Sequence, residues 1–452
     1  MKNLTTGSVF KNIVFFSLPY LLSYFLQTLY GMADLYIIGR FETQVAATTA
    51  VSIGSQVMHM LTVMLVGLAM GTTVCIGRAI GANDRRSVSS TVGNTVSLFS
   101  LVSVVFTVIL LFLVKPIVSV MATPNEAVSG TIAYLTVCFI GIPFITAYNV
   151  ISSVFRGMGD SKSPMYFIAV ACFVNICLDC LFIGAFKMGP VGAALGTTLS
   201  QAVSVAISLV VIRKRKLIVI SRKDLNPDRT VIGKLLKIGI PVALQDGFIQ
   251  IAFIVITIIA NNRGLTDSAA VGIVEKVICF VFLVPSSMLS AVSALGAQNI
   301  GAGKKDRAIQ TLKYACLISV GFGIVVCIIA QLLSEQIVGA FTQDNAVIVS
   351  GGKYLRGYIF DCVFAGIQFS FSGYFCACGK SQLSFIHNVI SILIARVPGA
   401  FFASKMFPDT LLPMGLASAA GSLLSSIICI AAFLLMQKKE NRFERKDSRE
   451  TA

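Results

Sequence analysis

Apolar runs of about 20 residues recur from one end of this chain to the other, separated by short polar stretches. Twenty residues of α-helix rise about 30 Å, the thickness of a bilayer's hydrocarbon core. Inside hydrocarbon every backbone N–H and C=O must be paired within the protein, so only helices and closed barrels span it. Barrel strands alternate apolar and polar residues, and these runs do not. Charged residues make up 12% of the 452 residues and hydrophobic ones 56%, whereas about 25% of a soluble domain is charged. The chain therefore reads as an all-α integral membrane protein. Spans are expected at about 13–38, 48–76, 90–114, 128–154, 165–186, 190–212, 236–262, 269–294, 310–333, 352–378, 384–404 and 411–436. The segment Met1 to Asn12 is polar and no small-residue cleavage site follows it, so no cleaved signal peptide is expected.

A formal net charge of +16 raises the question of nucleic acid, but the placement of the bases answers it. Lys and Arg gather in alternate loops: Arg78 to Arg86, Arg156 and Lys162, Arg213 to Lys237, Lys304 to Lys313, Lys380, and Lys438 to Arg449. The intervening loops hold few, among them Arg40, Lys115, Lys187, Arg263, Lys353, Arg356 and Lys405. This is the positive-inside pattern. It predicts a cell-membrane protein with both termini in the cytoplasm, the lipid bilayer as its partner and no nucleic acid. All twelve Cys fall in expected spans and read as soft core residues. Cys177-x-x-Cys180 and Cys376-x-Cys378 lack the second Cys or His pair that a metal site needs.

The chain repeats itself. Ser17-Leu18-Pro19 answers Gly239-Ile240-Pro241 at an offset of 222. Ile80-Gly81-Ala82 answers Ile300-Gly301-Ala302, Tyr134-Leu135 answers Tyr354-Leu355, and Gly159-x-Ser161 answers Gly379-x-Ser381, each at 220. One offset held across separated landmarks marks a duplicated unit. Six spans separate equivalent points, so both copies enter the membrane in the same direction. Twelve transmembrane helices in two six-helix bundles follow, related by a pseudo-two-fold axis along the membrane normal. The expected organisation is an N-lobe at 1–212, a cytoplasmic linker at 213–237, a C-lobe at 238–436 and a cytoplasmic tail at 437–452. Asn226-Pro227-Asp228 in the linker reads as a helix start. Gly67-x-x-x-Gly71 and Gly192-x-x-x-Gly196 read as close helix-packing sites.

Polar side chains within the spans carry the functional signal. On a helix, Gln27, Tyr30 and Asp34 share one stripe of span one, with Pro19, a possible hinge, earlier in the same helix. Asn175 and Asp179 share a face of span five; Thr197 and Gln201 do so in span six, and span four offers Asn149, Ser152 and Ser153. A carboxylate at a helix centre costs roughly 2.5–3.5 kcal/mol on insertion scales. No Lys or Arg lies deep in an N-half span, so Asp34 and Asp179 cannot both stay charged without a visiting cation. That visitor is a proton, Na⁺ or a cationic substrate, and the oxygens of Asp, Asn and Thr suit a hard cation. The plainer reading is a pair of packing acids hydrogen-bonded to neighbouring helices. The C-half holds Asp246 near the expected start of span seven, Glu275 and Asp361, with Lys276 and Arg396 at span depth; these five come close to neutralising one another. Position 256, the offset partner of Asp34, is Ile. The two lobes are therefore expected to do different work. His387 is expected near the cytoplasmic surface.

Pro19 with Asp34, Tyr30 one turn before the acid, Asn175-x-x-x-Asp179, and Ala193 with Thr197 resemble the multidrug and toxic compound extrusion (MATE) family of cation-coupled exporters. The basic central loop and the twin loops at Ile80 and Ile300 are similar as well. The resemblance implies a monomeric secondary transporter that exports cationic or amphiphilic small molecules by antiport with H⁺ or Na⁺, its lobes alternating access. It assigns cation coupling to Asp34, Asn175, Asp179, Thr197, Tyr30 and Ala193, with Na⁺ a candidate on the first four. Asp361 matches an acid that some members use for substrate or ion, and it joins the polar span residues Gln27, Asn149, Gln201 and Asp246 as candidates for substrate; Pro19, near which span one bends in one family proposal, and its repeat partner Pro241 are the candidate hinges. Beyond the coupling ion no cofactor is implied. A lipid-linked oligosaccharide flippase of the same superfamily is the alternative, but it would want many cavity bases, and only Lys276 and Arg396 are candidates. A major-facilitator loop would need a Gly that Asp84-Arg85-Arg86 lacks. Nothing matches His-Glu-x-x-His, Gly-x-Ser-x-Gly or a phosphate-cradling loop, and two His give acid–base chemistry few players, so an enzyme is not expected.

Overall fold

The structure is a computed structural model that describes residues 4–42, 44–215 and 221–450, with side chains described up to 439. Residues 216–220 of the expected linker and 451–452 of the expected tail lie outside the described residues. Eleven helices are long and apolar enough to cross a membrane, and a bent pair makes a twelfth span. In chain order they are α1 (Val9–Phe41), α2 (Val45–Gly81), α3 (Arg85–Val120), α4 (Asn125–Ile140 with Ile142–Gly157), α5 (Lys162–Ala185), α6 (Gly189–Arg215), α7 (Arg229–Asn261), α8 (Leu265–Gly301), α9 (Lys305–Gly339), α10 (Asn345–Ala377), α11 (Ser381–Met406) and α12 (Leu412–Lys439). Every expected span lies within, or within a residue or two of, one of these helices.

Local chemistry sets the ends. Ser8 accepts the Lys11 N–H at the start of α1, and Asp84 accepts the Ser87 N–H at the start of α3. Asp228 accepts the Thr230 N–H at 2.7 Å, so the Asn-Pro-Asp signal does open α7. Both neighbouring helices extend into the range 213–237 expected for the linker: α6 runs to Arg215 and α7 begins at Arg229. The described part of it is fastened to α3. Asn94 Oδ1 accepts the Asp228 N–H at 2.6 Å, and Ser97 Oγ donates to the Leu225 carbonyl at 2.6 Å.

Helical geometry continues through Pro19 and Pro241. The sharp bend lies elsewhere, at Gly141 in α4, where the two pieces meet at 48°. A break at Ile359 divides α10 at the equivalent point of the repeat. The fifth helix of each half contains a π-helical stretch, Cys180–Ala185 in α5 and Ile392–Arg396 in α11. Such stretches widen the turn and reorient the side chains beside them.

Two compact units divide the chain. The first comprises Met1–Asp246 with Ala297–Arg307, and so includes the first half of α7 and the last turn of α8. Here α5 packs on α6 and α1, and α2 on both pieces of α4. Tyr134, Leu135, Cys138 and Phe139 form the middle of its core. Glycines bring backbones together where a Cβ would collide: Gly71 against the Leu235 carbonyl, Gly239 against the Leu68 carbonyl, Gly81 against the Gln298 carbonyl and Gly301 against the Arg78 carbonyl. The last two contacts exchange equivalent positions under the 220-residue offset, Gly81 with Gly301 and Arg78 with Gln298. The second unit comprises Gly247–Gly296 and Ala308–Ala452. In it α12 packs on α10 and α11, and Tyr354, Leu355, Tyr358 and Ile359 occupy its core. Tyr134-Leu135 and Tyr354-Leu355 are thus the same buried position used twice. Gly159 and Gly379, at φ +85 and +68, make the same left-handed turn.

Candidate functional site

In the first unit, α1, α5 and α6 bring a carboxyl pair together. Asp34 is 2% exposed, and Asn175 and Asp179 are wholly buried. Thr197 Oγ1 donates to Asp34 Oδ2 at 3.2 Å, and Asp179 and Asn175 complete the surroundings of the Asp34 carboxyl. Asp34 Oδ1, both oxygens of Asp179, and both polar atoms of Asn175 are buried without a hydrogen-bond partner among the described residues. None of the ion pairs among the described residues involves Asp34 or Asp179. Orphaned buried oxygens are costly, and in native proteins they commonly mark a missing proton, ion or water. A proton shared between the carboxyls, or one hard cation, would satisfy several of these atoms at once.

Two local features create the space. Asp179 is the last α-helical residue before the π stretch of α5. Opposite it on α6 is Gly196, where a Cβ would collide with Asp179 Oδ1 and lie 3.6 Å from Asn175 Nδ2. Ala193, one turn earlier, is fully buried and equally small. Tyr30 is half-buried on α1, one turn before Asp34. Among the expected substrate residues, Asn149 and Gln201 are buried and Gln27 is half-buried. Asn149 Nδ2 donates to the Ile145 carbonyl at 2.9 Å, while Gln201 Oε1 has no partner among the described residues. The Arg156 guanidinium lies 4.3 Å from the Tyr20 ring centroid, a cation–π contact. It forms no ion pair with the carboxyl pair.

The second unit solves the same problem internally. Arg396 Nη2 donates to Asp361 Oδ2 at 2.7 Å and to the Tyr358 hydroxyl at 2.8 Å. The guanidinium also lies 5.3 Å from the Phe253 ring centroid. Asp361 stands in the first turn after the α10 break, and Arg396 ends the π stretch of α11. Glu275 accepts from Thr257 Oγ1 at 3.2 Å. His387, 1% exposed, is held between Ser372 and Ser425 Oγ atoms at 2.9 and 2.6 Å. The five-member charge balance expected for the C-half is therefore corrected. Lys276 is exposed. Asp246 belongs to the first unit and stands in mid-helix rather than at the start of span seven, because α7 begins as far back as Arg229. Its Oδ2 would lie 2.9 Å from a Cβ at Gly67. All twelve cysteines are free thiols. Among the described residues no three His, Cys, Asp or Glu side chains gather to hold a metal ion.

The MatE family model matches residues 19–181 and 241–402, the two halves of the repeat. The chain belongs to the MatE family. It is a multi-pass membrane protein of this multidrug efflux transporter family, and its curated relatives agree. It is 28% identical to the probable multidrug resistance protein YpnP of Bacillus subtilis, over 87% of this chain and 88% of that one. It is 27% identical to the multidrug export protein MepA of Staphylococcus aureus, over 96% and 95%. A crystal structure of a MATE protein in complex with MaL6 shares the fold at a TM-score of 0.90 and 23% identity, covering 98% of this chain and 100% of that one.

Within the MatE fold, the structure gathers Asp34, Asn175, Asp179 and Thr197 at one point and places Asp361 in the other unit. Sequence reasoning read Gly196 as helix packing alone. The signal for its place opposite Asp179 was its position one residue before Thr197, on the same turn. Sequence places Arg396 and Asp361 in one charge network but does not pair them, since nothing in their spacing shows that α10 and α11 meet there.

Proposed function

We propose that this MatE chain is a secondary active exporter of cationic or amphiphilic compounds, driven by antiport with H⁺ or Na⁺, with the coupling ion carried on Asp34 and Asp179. The observation that carries the reading is a buried carboxyl pair with no countercharge. Two carboxylates in contact cannot both remain ionised in low dielectric. Whichever cation neutralises them changes the energy of the conformation that holds them together, and that differential affinity is what couples ion to transport. Thr197 and Asn175 supply further oxygen ligands, Tyr30 and Ala193 shape the pocket, and Gln27, Asn149, Gln201, Asp246 and Asp361 contact substrate. Pro19 and Pro241, which lack the backbone N–H and lie within continuous helix in this conformation, are the hinges at which α1 and α7 bend as access alternates. The basic loops and both termini face the cytoplasm of a monomer in the cell membrane. Arg396 is engaged by Asp361, which leaves few bases for the pyrophosphate of a lipid-linked oligosaccharide and supports export over flipping.

The test is efflux of a cationic fluorescent dye from energised cells, comparing the wild-type chain with Asp34→Asn while the H⁺ and Na⁺ gradients are collapsed separately. Loss of efflux in the variant, and in the wild type under one of the two collapses, is expected. Normal pumping by Asp34→Asn under every gradient would sink the assignment.

A further inference from the structure

A cavity of about 340 Å³ lies at the basic-loop end of the first unit. Its lining includes the aromatic Phe15, Phe16 and Phe155 and the charged Asp160, Lys162 and Arg215. Its volume falls in the range of small-ligand sites. We propose that this cavity binds one anionic phospholipid, with the phosphate on Lys162 and Arg215 and the first acyl segment along the phenylalanines.

Three observations point to that ligand. First, the charge balance is positive. Asp160 is already committed: its Oδ1 accepts the Lys162 and Ser163 N–H groups, each at 3.0 Å, and its Oδ2 accepts Ser163 Oγ at 2.6 Å. Those bonds cap the start of α5, so the acid is spent on the helix end. Arg215 uses Nη1 on Ser163 Oγ at 3.1 Å and lies 3.5 Å from Asp160, yet its side chain remains 55% exposed. The Lys162 side chain is exposed as well. Second, the aromatic lining continues into the lipid-facing surface. Phe15, Leu18 and Leu22 stand at i, i+3 and i+7 on α1 and are 62, 59 and 42% exposed, a continuous apolar stripe on one helix face. A soluble anion would leave that surface unused, whereas an acyl chain covers it. Third, the two charged residues sit at the start of α5 and the end of α6, where a helix meets the headgroup region. A cationic substrate would be repelled there.

The test is native mass spectrometry of the purified full chain with phosphatidylglycerol, phosphatidylcholine or soluble glycerol phosphate as probe. One phosphatidylglycerol should persist after phosphatidylcholine is stripped. Lys162→Gln with Arg215→Gln should weaken that adduct roughly 30-fold, the effect of two basic side chains beside an anionic surface. Lys162→Arg with Arg215→Lys should keep it and shows that the position tolerates exchange. Equal retention of phosphatidylcholine, an unchanged adduct in the Gln pair, or equal weakening by Arg213→Gln outside the cavity would each overturn the proposal. Competition by glycerol phosphate at the lipid's own concentration would assign the cavity to a soluble anion instead.

Discussion

Adding one carbon opposite Asp179 should separate ion coupling from packing. In Gly196→Ala the new Cβ collides with Asp179 Oδ1, and it also lies 3.2 Å from Asp179 Cγ. The carboxyl must swing away or α6 must retreat from α5. Forcing one extra carbon into a filled site costs about 1–3 kcal/mol. Here that penalty falls on the arrangement that binds the ion, so coupling-ion affinity should fall roughly 5- to 150-fold. Gly192→Ala is the internal control. It is the same substitution one turn earlier on α6, but its nearest neighbours are carbon atoms of Phe182 and Met188, at 3.1 to 3.2 Å. Its contacts ask for a shift of only a few tenths of an ångström, so it should change thermal stability less than Gly196→Ala and leave ion dependence alone. The assay is dye efflux from proteoliposomes against the concentration of the driving cation, with half-saturation as the readout and a melting curve for each variant. An unshifted half-saturation in Gly196→Ala, with Asp179→Asn inactive, would refute the argument. So would equal shifts in both glycine variants.

Other outcomes follow from the same geometry. Arg396→Met should destabilise the second unit by about 3–5 kcal/mol, because it strands the buried Asp361 charge. Adding Asp361→Asn should recover most of the loss, as thermal unfolding in detergent will show. Outside the spans, hydrogen bonds from Ser87 hold the Asp84 carboxyl below the usual carboxylate range, and Ser221 does the same for Asp224. A depressed folded pKa gives stability that is present above the ordinary value near about 4 and is lost as pH falls through the lowered one. The melting temperatures of wild type and Asp84→Asn should therefore differ at neutral pH and converge in acid. A constant difference across that range would exclude the capping carboxylate as the cause.

Much of the candidate site was legible because its members betray themselves one at a time. Asp34 and Asp179 are acids in apolar runs with no base nearby, and Asn175 and Thr197 share their faces by helical periodicity. What escaped was relational. Gly196 acquires its meaning from a carboxyl on another helix. Asp246 seemed to open span seven until α7 was seen to start at Arg229. Arg396 and Lys276 read alike as members of one balanced charge network, yet Arg396 is bound to Asp361 while Lys276 is exposed.

The sequence alone determined the membrane class, the twelve spans and the duplication. Hydrocarbon imposes its length and composition on each segment separately, and a repeat survives as spacing along the chain. Tertiary structure decided which buried charge meets which. That outcome depends on how each helix is rotated and where it breaks, at Gly141, Ile359 and the two π stretches. Those choices are settled by packing between helices far apart in the chain, which no local pattern records.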